Sequence, residues 1–177
     1  IANFYDDVTI SVGAANVQAT ALGSTISRVV FFGSYNGGVS GGGQAFIEGD
    51  HRPGASPGLV TFGGDVAYGP FASLEIELAG SVLGSEFDAV EIAGAAVLAG
   101  TLDVKLLNGF LPTFGDTFKV IAAAGGIEGT FDSELLPDLG ALLDLRVFYD
   151  ATSATLAVVP ALDGDYNANG IVDAADY

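Results

Sequence analysis

An all-β fold is predicted for this chain by three observations. Its 26 glycines in 177 residues mark frequent corners. Between those corners lie short runs in which Val, Ile, Leu, Phe and Thr alternate with polar residues, the period of a strand with one covered face. The runs follow one another too closely to leave room for crossover helices. Two architectures satisfy this pattern. One is a parallel β-helix, a solenoid in which each coil stacks on the last around an apolar interior. The other is an antiparallel β-sandwich with short connections. The pattern has no strict repeat period, and alone it does not separate the two.

Residues 1–50 read as a first tract, with strands at Val8–Val12, Ile26–Phe32 and Gln44–Glu48. In Val29-Val30-Phe31-Phe32 no polar residue alternates, which predicts cover on both faces. Gly37-Gly38 and Gly41-Gly42-Gly43 are sharp corners; no Gly-Lys-Thr/Ser ending makes a phosphate cradle of them. Residues 51–160 read as a second tract, with strands at Leu59–Phe62, Ser73–Leu78, Phe87–Ile92, Thr101–Leu107, Thr117–Ala123, Leu145–Asp150 and Ala154–Val159. The period is cleanest in Leu74-Glu75-Ile76-Glu77-Leu78, where alternation sends Leu74, Ile76 and Leu78 inward and both glutamates to solvent. Ser133–Leu143 has a weak helical period, opposed by Pro137 and Gly140. Pro160 closes the last strand, because it has no N–H for a ladder. The β domain is thus placed at 1–160, with a short tail at 161–177.

The composition narrows the partners. Half of the chain is apolar and only 15% is charged, so it can build a core. Net charge is −17, with five basic residues, Arg28, Arg52, Lys105, Lys119 and Arg146. Nucleic acids need a basic footprint, which is missing. Cations suit such a surface. No cysteine is present, so disulfide and thiolate chemistry are excluded. No apolar run is long enough to cross a bilayer as a helix. The opening Ile1 reads as a processed or internal start, compatible with export after loss of a signal.

The tail carries the clearest chemistry. With Asp165 as position 1, oxygen side chains fall at 1, 3, 5, 9 and 12 (Asp165, Asn167, Asn169, Asp173, Asp176) and Gly170 falls at 6. Ile171, at 7, can offer its backbone carbonyl. This is the ligand spacing of an EF-hand-type calcium loop, in which a hard cation gathers oxygens and a glycine permits the turn. Position 12 is Asp where the full EF-hand has Glu, which shortens its bidentate reach. The competing reading is an acidic, unstructured tail. Gly164, Asp165, Asn167, Asn169, Gly170, Val172, Asp173 and Asp176 also resemble one half of a dockerin type I repeat. The resemblance implies calcium at Asp165, Asn167, Asn169, Asp173 and Asp176. A dockerin pairs two such units and docks a cohesin. Only one unit resembles the repeat in this chain, so calcium carries over and cohesin docking does not, though a protein partner at the tail is the alternative expectation.

A second resemblance spans residues 41–160. Pro53-Gly54-Ala55-Ser56-Pro57-Gly58-Leu59-Val60-Thr61-Phe62, Ala72–Leu78, Phe87–Gly94, Gly100–Val104, Gly109-Phe110 with Pro112, and Gly115–Phe118 keep an order similar to the repeat segment of autotransporter-like passenger proteins. Similar segments occur in large bacterial surface proteins, often of planctomycete type. The resemblance implies an exported, β-helical, surface-exposed protein. The membrane barrel of an autotransporter is not among these residues, so that secretion route is not implied.

Catalytic candidates are few. His51, the single histidine, lies in Asp50-His51-Arg52-Pro53-Gly54 and reads as a solvated turn residue. No Gly-x-Ser-x-Gly elbow supplies a nucleophile for it. Glycoside cleavage needs two carboxylates about 5–10 Å apart. Glu75 with Glu77, Asp6-Asp7, Glu86 and Asp88 are the pairs on offer, and 22 acids make such pairs easy to find by chance. The resulting expectation is a non-catalytic structural protein of the cell exterior. It binds calcium at its C-terminal loop and assembles with copies of itself into a surface layer or fibre, through residues 1–12 and the tail after Pro160.

Overall fold

The computed structural model describes residues 8–10, 17–18, 28–40, 42–54, 56–162, 164–165 and 171–172. These residues form strands, turns and no helix. In chain order the strands are β1 (Val8–Ile10), β2 (Val17–Gln18), β3 (Arg28–Phe31), β4 (Val39–Ser40), β5 (Gln44–Ile47), β6 (Asp50–His51), β7 (Leu59–Phe62), β8 (Val66–Tyr68) and β9 (Ser73–Leu78). They continue with β10 (Ala89–Ile92), β11 (Ala96–Leu98), β12 (Thr101–Leu106), β13 (Thr117–Ala123), β14 (Ile127–Gly129), β15 (Ser133–Leu135), β16 (Leu143–Tyr149) and β17 (Ser153–Pro160).

Three sheets result, ordered β1-β3-β5-β8-β11-β14, β16-β17-β13-β10-β7-β4-β2 and β15-β12-β9-β6. From β4 to β15 the chain visits the seven-stranded, six-stranded and four-stranded sheets in fixed rotation, and each strand pairs in parallel with its counterpart one lap away. Leu59 stands beside Ala89 and Val90 beside Ile121 in the first sheet of the lap. Ala96 stands beside Val66 and Ile127 in the second, and Thr101 beside Ser73 and Ser133 in the third. Among the named strands, antiparallel pairing is confined to the last two, with β17 on β13 and β16 on β17.

Period-two alternation decides which side chains the laps enclose. Leu74, Ile76 and Leu78 point in from β9, Leu102 and Val104 from β12, and Phe118 and Val120 from β13, all buried in one apolar cluster. At about 25 cal/mol per Å² of apolar surface, such a column is the main stabilising term. The alternation extends to β3 and corrects the expectation of cover on both faces there. Val29 and Phe31 are buried, whereas Phe32 is 60% exposed. The weak helical period at 133–143 forms no helix; its first residues are β15, whose place is set by pairing with β12.

The corners between the seven- and six-stranded sheets are three residues long, at 63–65, 93–95 and 124–126. Here glycine is required by close approach. Gly94 N–H donates to the Gly64 carbonyl at 3.2 Å and Gly125 N–H to the Gly94 carbonyl at 2.8 Å, so the backbones of successive laps touch. A Cβ on Gly64 would lie 2.0 Å from the Gly43 carbonyl oxygen. The connections from the four-stranded to the seven-stranded sheet are longer, at 52–58, 79–88 and 107–116.

Candidate functional site

The tail begins where β17 ends. Ala161 N–H donates to the Leu142 carbonyl at 2.9 Å, which fixes the exit direction. Gly164 then takes φ +94°, a left-handed conformation that favours glycine. Asp165 N–H donates to the Leu162 carbonyl at 3.1 Å, and Asp165 itself is only 1% exposed. A Cβ on Gly164 would lie 3.3 Å from Val172 Cγ1.

A hard cation gathers oxygen ligands, and the Asp165 carboxylate and the Ile171 carbonyl would supply two of them. Of the six proposed calcium ligands, Asp165 and Ile171 belong to the described residues; Asn167, Asn169, Asp173 and Asp176 lie outside them. Among the described residues, no three His, Asp or Glu side chains are grouped to hold a metal. Bound there, calcium would be held by those six residues and would tie the two ends of the loop together.

His51 is the main correction to the sequence reading. It is not a solvated turn residue but fully buried, on the inward side of β6. Its neighbours mislead: Asp50 and Arg52 are exposed on either side of it, and Pro53-Gly54 follows. The parallel register places His51 beside Leu74 on one side and Tyr35 on the other. Its ring stacks against Tyr35 and Tyr68, with centroids 5.4 and 5.8 Å away. Nδ1 lies 2.7 Å from the Tyr68 hydroxyl, and Nε2 is buried without a hydrogen bond of normal geometry. Burial lowers its pKa to about 4, and the nearby Gly37 carbonyl opposes this. The neutral ring shares a hydrogen bond with the Tyr68 hydroxyl at Nδ1. A tyrosine thus holds the ring where a nucleophilic relay would have a carboxylate.

The carboxylate candidates are brought together in part. Glu75 and Glu77 share the outward side of β9, half-buried. Glu75 Oε1 lies 3.4 Å from Arg52 Nε, and Ser56 Oγ donates to Glu77. Asp88 turns inward and is 2% exposed. Its carboxylate accepts Gly58 N–H at 2.6 Å and Glu77 N–H at 2.8 Å. Desolvation pushes its pKa up to about 6, with the two backbone N–H groups pulling down and Glu77 and Glu75 adding upward pressure. Glu86 accepts from Ser81 and Val82 N–H, both at 3.0 Å, and brackets its own loop. Asp6 and Asp7 lie outside the described residues.

Asp88 belongs to a set of acids that pin one lap to another. Asp65 accepts Ala95 N–H at 2.9 Å and Asp132 accepts Gly100 N–H at 2.7 Å. Part of the acidity thus satisfies backbone donors at corners, a role invisible in composition. Replacing Asp88 by alanine is expected to cost about 2 kcal/mol, the penalty of leaving buried donors unpaired. Urea titration checks this, with Asp88→Asn, which keeps an acceptor, losing less.

An open groove of about 630 Å³ runs over the outer face of the seven-stranded sheet, lined by Thr61, Glu91, Lys119, Ala122 and Thr152 among others. Among the described residues, no helix is long and apolar enough to cross a membrane. No protein-family model matches the chain, and no curated protein matches it.

Proposed function

We propose that this chain is a non-catalytic structural protein of the cell exterior, that its laps stack as a parallel β-helix, and that it assembles with copies of itself and binds calcium at residues 165–176. The observation that carries this reading is the fixed rotation of parallel pairs through three sheets around one apolar column. A stack of that kind has a rigid long axis and two ends with backbone groups available for further strands. The net charge of −17 opposes contact between copies, and a divalent cation relieves that repulsion. The tight closure between Gly164 and Val172, with Asp165 buried beside it, supports the calcium part.

Titration calorimetry tests the metal. The chain is expected to bind calcium with Kd on the order of 10⁻⁴–10⁻³ M, as extracellular modules do, and Asp165→Ala to weaken binding at least tenfold. Equal heats from both proteins would remove Asp165 as a ligand. Electron microscopy with calcium and with a chelator tests assembly. Ordered polymers that lose order on chelation are the expected outcome; single particles in both conditions at high concentration would defeat it.

A further inference from the structure

We propose that β16 is a self-complementary edge, and that two copies join through it about a two-fold axis at Leu145, making one continuous sheet through both molecules. This rests on the reading that the chain assembles with itself, and narrows that reading to one interface. β16 is the last strand of its sheet and, among the described residues, pairs only with β17.

The hydrogen-bond parity of this edge is fixed. Asp150 N–H donates to the Ser153 carbonyl, and Ala161 N–H donates to the Leu142 carbonyl. In an antiparallel ladder bonded residues alternate, so Leu142, Asp144, Arg146 and Phe148 spend their backbone groups on β17. Leu143, Leu145, Val147 and Tyr149 turn theirs to the open side. A second β16 running antiparallel must bond through those odd positions, which places the two-fold axis on a residue and never between two.

Side chains then select the register. With the axis at Leu145, Asp144 faces Arg146 of the second copy, and Arg146 faces its Asp144. Leu142 meets Phe148, residues that are 46% and 52% exposed in the single chain. Leu143 meets Val147 on the inner side. With the axis at Val147, Asp144 would instead face Asp150. With the axis at Leu143, Arg146 would face Gly140 and no charges would pair. With the axis at Asp144 or at Arg146, that residue would face its own charge in the second copy, and with the axis at Phe148 only Val147–Tyr149 of the strand would overlap. Opposite-charge and apolar cross-strand pairs favour a register, and like charges oppose it. Within one chain Arg146 already lies 3.5 Å from Asp144, so the pairing across the axis extends an existing contact. An isologous contact closes on itself as a pair; growth beyond two copies must use another surface.

The test is sedimentation equilibrium of the full chain in chelator at moderate salt, which removes the calcium loop from the question and screens the net charge. A species of twice 17.8 kDa is expected. Asp144→Arg and Arg146→Asp should each raise the dimer Kd roughly tenfold or more. The double exchange D144R/R146D should restore it. Mixing the two single variants should give a heterodimer tighter than either homodimer, a rescue that a folding defect cannot produce. Single variants that pair like the unaltered chain, or a mixture no tighter than its parts, would overturn the interface. An unaltered chain that forms polymers with calcium yet shows no dimer in chelator would overturn the interface while leaving self-assembly standing. A monomer at millimolar concentration that also forms no polymers would sink both.

Discussion

Replacing Gly64 by alanine is expected to destabilise the protein by about 3 kcal/mol or more, the upper range for forcing atoms into a packed site. The added methyl would meet the Gly43 carbonyl oxygen at 2.0 Å and the Gly42 carbonyl carbon at 2.8 Å. Both are backbone atoms, which cannot rotate aside as a side-chain tip can. Relief requires the two laps to part, and parting weakens the parallel pairs on both sides of the corner. Gly42→Ala is the control, because a Cβ there meets nothing within 4 Å. Its cost should stay within about 0.5 kcal/mol. Urea midpoints with unchanged slopes would measure both. Equal midpoints for the two variants would refute the close approach of the corners.

The second large effect is an acid-dependent loss of stability through His51. Its folded pKa is about 4, against an ordinary value of 6.5. The unfolded chain therefore takes up a proton first as pH falls. Stability from this group is complete above about pH 7, declines between about 6.5 and 4, and in total falls by about 3 kcal/mol. Asp88 acts in the opposite sense. Its folded pKa is raised to about 6 from 3.8, so the folded state takes the proton first and gains stability over much the same window. The unaltered chain should consequently show a shallow net dependence. The double variant His51→Phe/Tyr68→Phe isolates the histidine, since removing both hydrogen-bond partners leaves no orphan between them. The stability advantage of the unaltered chain over that variant should shrink by about 3 kcal/mol from about pH 7 to about pH 4. A difference that stays constant with pH would mean His51 is not buried neutral.

Much of the strand pattern is legible in the sequence where alternation runs long. β9 falls at the expected Ser73–Leu78, where six residues show period two without ambiguity, and β13 at the expected Thr117–Ala123, although Val120 and Ile121 are both buried where its register against β17 shifts. The short strands β4, β8, β11 and β14 escape such a reading. Two or three residues carry no period, and Val66–Tyr68 or Ala96–Leu98 become strands only through parallel partners a full lap away. Phe32 shows the converse, an apolar run ending on the open side because the strand ends at Phe31. At the sites the same split holds. Asp165 stands out as a candidate because an oxygen-ligand loop follows a local spacing. His51 does not, because its immediate neighbours look like a turn while Tyr35, Leu74 and Tyr68, which bury it, are distant in sequence. A signal is present: Asp50-His51-Arg52-Pro53 alternates outward and inward, though it ends in a proline.

The two kinds of corner divide the labour of the surface. Three-residue corners with touching backbones admit neither a longer loop nor a bulkier residue. The connections at 52–58, 79–88 and 107–116 lie along one flank, differ in sequence and vary in length. Grafted epitopes, tags or recognition peptides belong on that flank, where each addition projects from a separate layer and the spacing between neighbouring inserts is set by the distance between strands, about 4.8 Å.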